Sequence, residues 1–103
     1  MQGDVTIELV WLVEATYAPD AAQTRMPFRT EHLAGIEARK EAGIYLEAGA
    51  FVDVSASLIL VRAIDEGEAI RIVSDDVYLR NGVWVEIRAR AFGRVTRTVA
   101  TTV

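Results

Sequence analysis

RTEHLAGIEARKEAGIYLEAG, Arg29 to Gly49, joins a helix to a strand and carries the chain's only histidine, His32. Pro27 fits the first turn of a helix, where no intrahelical N–H bond is lost. The helix is expected to run from there to about Ala42. Phe28, Leu33 and Ile36 read as its inner stripe, and Glu37, Lys40 and Glu41 as its wet side. Gly43 suits the left-handed conformation that ends a helix. From Ile44 the period changes to two: Tyr45, Glu47 and Gly49 face opposite to Ile44, Leu46 and Ala48, a strand to Val52.

Before this stretch, Asp4 to Tyr17 reads as a long strand. Val5, Ile7, Leu9, Trp11, Val13 and Ala15 form a continuous apolar face, and Thr6, Glu8, Val10, Leu12, Glu14 and Thr16 form a mixed one. Ala18-Pro19-Asp20 is a turn, and Ala21 to Met26 a connection or an irregular first turn. After the stretch, Asp53-Val54-Ser55 is a short reversal into a third strand, Ala56 to Ala63, which makes an antiparallel hairpin with the second. Asp65 and Glu68 have capping-box spacing at the start of a second helix whose inner residues are Ala69, Ile70 and Val73. Asp75 to Tyr78 ends it. Asn81-Gly82 turns into a fourth strand, Val83 to Phe92, with Val83, Val85, Ile87, Ala89 and Ala91 on one face and Trp84, Glu86, Arg88, Arg90 and Phe92 on the other. The order is β-α-β-β-α-β, an α+β ferredoxin-like domain with two helices on one face of a four-stranded antiparallel sheet. One domain is expected over 1–103, with its core at about 4–95 and a threonine-rich tail over 96–103.

The open face would show Val10, Leu12, Trp84 and Phe92 among charges, a surface suited to a second copy of the chain in a twofold dimer. The 51% hydrophobic fraction agrees with a covered face, and the net charge of −4 argues against nucleic acid. With no cysteine, thiolate metal sites, disulfides and cysteine nucleophiles are excluded. No apolar run approaches the ~20 residues of a membrane span. Residues 1–9, MQGDVTIEL, lack the pattern of a signal peptide, so a cytoplasmic location is expected. One histidine with scattered carboxylates gives no metal-ligand spacing, and there is no glycine-rich phosphate loop or nucleophile elbow around Ser55 or Ser57.

Several short motifs in order resemble the YciI-like proteins of the dimeric α/β-barrel superfamily. They are EATYAPDAA after the first strand, Arg29-x-x-His32-Leu33, Glu41-Ala42-Gly43, Ala48-Gly49 with Asp53 and Ser55, Asp76-x-Tyr78, Gly82-Val83 and Phe92, spread over roughly residues 5 to 95. The resemblance implies a homodimer, with room for a higher oligomer, and a pocket between the sheet and the first helix. Its working pair would be a helix-one histidine and the aspartate of an Asp-Pro-aromatic element, here His32 and Asp76. Members of that family include a dehydrochlorinase of chlorinated hydroxyquinols. This chain has Val77 where the family usually has proline, and Gly49-Ala50 where Gly-Pro is common.

Imidazole can give or take a proton near neutral pH, and a carboxylate on its other nitrogen fixes the tautomer. Set against that, His32 reads equally as a half-buried histidine at the border of the apolar stripe, and Asp76 as a cap for the next turn. Arg29, one turn from His32, could hold an anion or pair with Glu31 or Glu37. Asp53 beside Ser55 could belong to the pocket or only to the turn. Tyr78, Tyr45 and Trp84 could line the pocket or pack the core. Taken with the resemblance, these residues point to a small cofactor-independent enzyme. It would use His32 and Asp76 for acid–base chemistry of the lyase, isomerase or dehydrochlorinase kind, on a small cyclic or aromatic oxygenated molecule held by Arg29, Asp53, Ser55 and Tyr78. The alternative is a non-catalytic small-molecule-binding or assembly module on the same dimeric scaffold.

Overall fold

A computed structural model describes residues 3–99. The sheet has four strands, β1 (Gly3–Tyr17), β2 (Tyr45–Ala50), β3 (Ala56–Val61) and β4 (Trp84–Val99), all antiparallel, in the order β2-β3-β1-β4. Helices α2 (Arg29–Glu41) and α3 (Glu66–Ser74) pack on the sheet face that carries Val13, Ala15, Ile59 and Val61. This is the expected ferredoxin-like α+β arrangement. Two short helices were not foreseen: α1 (Ala21–Thr24), followed by a 3-10 turn at Met26–Phe28 that holds Pro27, and α4 (Val77–Arg80).

The helix signals work largely as expected. Asp65 caps α3 by accepting from the Glu68 amide at 2.8 Å, and the Glu68 carboxylate returns a bond to the Ile64 amide at 2.9 Å. Gly43, at φ 76°, ends the first long helix. On α2, however, the fully buried residue is His32 rather than Leu33, which is 48% exposed. Phe28, His32 and Ile36 are spaced four apart and so lie one above another, whereas Leu33 is turned round toward the rim.

Strict alternation fails at two bulges. In β1–β4, Thr16 pairs with Glu86 but Tyr17 pairs with Trp84, so Val85 is the extra residue. In β2–β3, Tyr45 pairs with Val61 and Glu47 with Leu60, leaving Leu46 extra. Each bulge moves an aromatic ring to the helix-covered face. Trp84, expected on the open face, is 1% exposed in the core, and Tyr45 joins it. Burying an indole is worth roughly 4–6 kcal/mol, from ~150–250 Å² at ~25 cal/mol/Å². That exceeds the ~1–3 kcal/mol cost of its unpartnered N–H.

The fourth strand also runs past Phe92. Residues 93–99 pair with β1 back to Gly3, so residues 96–99 of the expected tail are strand, while 100–103 lie outside the described residues. β3 meets β1 only over Trp11–Thr16, so the far ends of β1 and β4 project as a two-stranded ribbon and the molecule measures 52 × 24 × 23 Å. Val5, Ile7, Leu9 and Val95 are exposed along it. Glu8 ties the ribbon to the body through Arg62 at 2.7 Å, and across its own two strands through Arg94 at 3.1 Å. The Arg62 hydrogen bond, with help from Arg94, holds the Glu8 carboxyl below its ordinary range.

The remaining open face carries Leu12, Leu58, Leu60 and Phe92, with Arg88 bridging Glu14 at 3.6 Å and Glu86 at 3.9 Å within the same chain. Among the described residues, no helix is long and apolar enough to cross a membrane.

Candidate functional site

His32 and Asp76 are 44 positions apart and meet because α2 and the start of α4 pack over the same end of the sheet. Asp76 is the N-cap of α4. Its extended backbone lets Oδ1 accept from the Tyr78 amide at 2.8 Å, and both carboxylate oxygens lie 2.8 Å from His32 Nδ1. The capping role and the histidine bond, rival explanations in the sequence, are filled by one carboxylate. Both side chains are buried, each residue 5% exposed.

A carboxylate only accepts, so Nδ1 carries a proton, and in its neutral form the ring presents a lone pair at Nε2. Nε2 has no hydrogen-bond partner among the described residues, and the ring lines a cavity of about 230 Å³. Asp76 stands behind the ring and is not part of the cavity wall. The imidazole is also held in plane: it stacks on Tyr78 at 3.7 Å and 5°, and the Trp84 indole meets it edge-on at 5.3 Å and 90°. The bulge that buries Trp84 therefore supplies one wall of the histidine's slot.

The cavity runs from α2 over β2 and β3. Its polar wall is Arg25, Arg29, Tyr17, Ser57 and Tyr78, and its apolar wall includes Leu33, Ile36 and Ile59. Ser57 Oγ donates to Tyr17 Oη at 3.1 Å, which leaves the Tyr17 hydroxyl proton free to point elsewhere. Burial pushes the Tyr78 phenol above its ordinary pKa, aided by nearby Tyr17, while Arg25 and Arg29 pull it down. Two larger hollows exist. One, of about 360 Å³, lies on the open face around Leu12, Leu58, Leu60 and Phe92; the other, of about 400 Å³, includes Glu14, Glu66, Arg88 and Arg90. Neither holds a histidine, so size does not single out the chemically equipped cavity.

Of the residues named from the sequence, Arg29, His32, Asp76 and Tyr78 come together here. Asp53 and Ser55 do not. Asp53 Oδ1 accepts from the Ser55 amide at 3.0 Å and the Ser55 hydroxyl at 2.6 Å, an exposed turn that supports Val54 at φ 58°. They are outside the cavity wall. Arg29 does not pair with Glu31, which bridges Arg80 at 3.4 Å. Arg25, Tyr17 and Ser57 were missed. Tyr17 continues the alternation of Val13 and Ala15, which was a usable signal; Arg25 sits in an irregular connection and gave none.

The family model described as the YCII-related domain matches residues 9–92. No curated protein matches the chain. Among solved structures, the fold is similar to 5-chloro-2-hydroxyhydroquinone dehydrochlorinase from Burkholderia phenoliruptrix AC1100, determined in complex with 2,5-dihydroxybenzoquinone. The TM-score is 0.68 at 19% identity, over 79% of this chain and 90% of that one.

Proposed function

This chain belongs to the YCII-related domain family, and from that premise we propose that it is a small acid–base enzyme acting on a compact cyclic, oxygenated molecule. One observation carries the proposal: a buried carboxylate holds Nδ1 of a buried imidazole while Nε2 stands unpartnered at a cavity. In the reaction, Nε2 takes a proton from an acidic C–H or O–H of the substrate. The electron pair left behind forms a double bond and either expels a leaving group, which is elimination, or is reprotonated elsewhere by the imidazolium, which is isomerisation. Asp76 orients the ring and stabilises the imidazolium. Arg29 lies on the same wall and offsets negative charge developing on a substrate oxygen. Neither route needs a cofactor. The His32 ring and Tyr78 share one wall of the cavity, and the similar structure was determined with a dihydroxybenzoquinone bound.

The working unit in this proposal is a cytoplasmic homodimer, one domain per chain, formed through the open sheet face. Its half-buried Leu12, Leu58 and Leu60 and exposed Phe92 would close against their copies.

The test is turnover. Chloride release from 5-chloro-2-hydroxyhydroquinone, and deuterium exchange at the α-carbons of cyclic hydroxyketones, are followed for the protein and for His32→Ala. A fall of about 100-fold or more is expected. Activity that survives His32→Ala unchanged refutes the role of the dyad.

A further inference from the structure

The cavity beside His32 is cationic in an acidic protein. The chain carries a net charge of −4, yet the cavity wall contains Arg25 and Arg29 and no carboxylate. The other two hollows each include glutamates: Glu47 in one, Glu14 and Glu66 in the other. Elsewhere Arg39, Arg62, Arg80, Arg88 and Arg94 each bridge a carboxylate. Arg25 and Arg29 have no carboxylate within ion-pair distance among the described residues. The Nε of Arg25 is moreover buried without any acceptor among the described residues. A buried, unpartnered guanidinium N–H costs stability unless something supplies an acceptor. Both arginines share the cavity wall with Tyr78, the ring that stacks against His32.

We propose that Arg25 and Arg29 form an anion-binding subsite, and that the molecule taken by this cavity is a small carboxylic acid whose carboxylate lies on the two guanidiniums while its ring reaches toward Nε2 of His32. A carboxylate fits better than a neutral hydroxyl because planar guanidinium forks match its two oxygens, and each can be served by a different arginine. The hydroxyl of Tyr17, aligned by Ser57, adds a donor on the same wall. A compact anion also matches a cavity of about 230 Å³ better than a polyphosphate does. This inference rests on the acid–base site proposed above and adds the substrate's charge and the residues that read it.

The experiment is a binding titration, followed by calorimetry and by the NMR signal of the Arg25 side-chain Nε–H. The probes are benzoate and 2-furoate, with benzamide and 4-nitrophenolate as controls. The two carboxylates are expected to bind, to weaken with added salt, and to shift the Arg25 Nε–H signal, while benzamide does none of these. Arg25→Gln and Arg29→Gln should each weaken benzoate about tenfold or more, whereas Arg71→Gln, a charge loss on exposed α3, should not. The NMR shift in the unaltered protein keeps the test valid if Arg25→Gln folds poorly. Failure of both carboxylates to bind below about 10 mM overturns the subsite. So does equal binding by the arginine variants, or a preference for 4-nitrophenolate over benzoate. Carboxylate binding without proton-transfer activity leaves the subsite standing and removes the acid–base function; turnover of neutral molecules alone does the reverse.

Discussion

Replacing Asp76 by asparagine changes one oxygen to an amide nitrogen and leaves the shape of the side chain intact. Two donors then compete for what the carboxylate supplied: the Tyr78 amide and His32 Nδ1, each at 2.8 Å. The backbone amide can only donate, whereas imidazole can move its proton from Nδ1 to Nε2 at small cost. The asparagine oxygen therefore stays on the Tyr78 amide, its NH₂ turns to His32, and Nδ1 becomes the acceptor. Asparagine caps helices about as well as aspartate, so α4 loses little. A charge-assisted hydrogen bond is exchanged for a neutral one, a net loss of about 1 kcal/mol. Asp76→Ala removes the cap, about 1 kcal/mol, and strands a buried Nδ1–H, about 1–3 kcal/mol, for a total of roughly 2–4 kcal/mol. Urea unfolding gives the two stabilities, and nitrogen-15 NMR of the imidazole gives the tautomer. The expected outcome for Asp76→Asn is a nearly native fold with the proton on Nε2, and any turnover that uses Nε2 as a base falls ~10²–10⁴-fold. If the variant keeps its proton on Nδ1, or if Asn and Ala cost the same, Asp76 does not hold the ring in the manner described.

Tyr45 offers a separate check on the core. Its hydroxyl is buried with no partner, and burial pushes the phenol up to about 12. Because the folded value lies above the unfolded value near 10, the contribution is intact below pH ~10 and is lost as pH rises toward ~12. Tyr45→Phe is expected to flatten that alkaline loss and to be neutral or stabilising by about 1 kcal/mol at pH 7, read from denaturant melts at each pH. Asp65→Ala should destabilise by about 1 kcal/mol through its lost cap bond to Glu68, seen as earlier amide exchange in α3. Leu60→Lys on the open face should convert a dimer to a monomer in sedimentation without disturbing the Asp76–His32 bond; a monomeric parent protein would dispose of the proposed assembly.

The architecture was legible because the change of period at Gly43, the capping box at Asp65 and the turn at Asn81-Gly82 are local signals, each acting within a few residues. What escaped was non-local. Alternation cannot announce a bulge: it puts Trp84 on the open face, whereas the structure buries it, because burial of a large ring across the sheet outweighs one unpaired ladder position. Leu33 was preferred to His32 for the inner face because hydrophobicity ranks it higher, yet a buried carboxylate from a distant helix makes the imidazole the better occupant. The pairing with Asp76 came from a resemblance to known proteins, since nothing in the spacing of positions 32 and 76 implies contact. Asp53 and Ser55 were drawn toward the site by their adjacency and by the family resemblance, and their own turn consumes their hydrogen bonds. Arg25 lay in a segment with no periodic pattern, and only the missing acceptor at its Nε marks it out.

The bulge at Val85 means that the start of β4 has two frames in which it can be written onto the sheet. In one, Val85 points inward and Trp84 faces open; in the other, the one observed, they trade places. The two differ by a slip of a single residue and share every side chain. The edge-on wall of the histidine slot exists in only one of them. Its integrity is thus a question of reading frame in the strand: a larger or more apolar residue at Val85 would compete with Trp84 for the inside, while a charged one would lock the observed frame. A position that touches nothing in the cavity thereby governs how firmly the histidine is held.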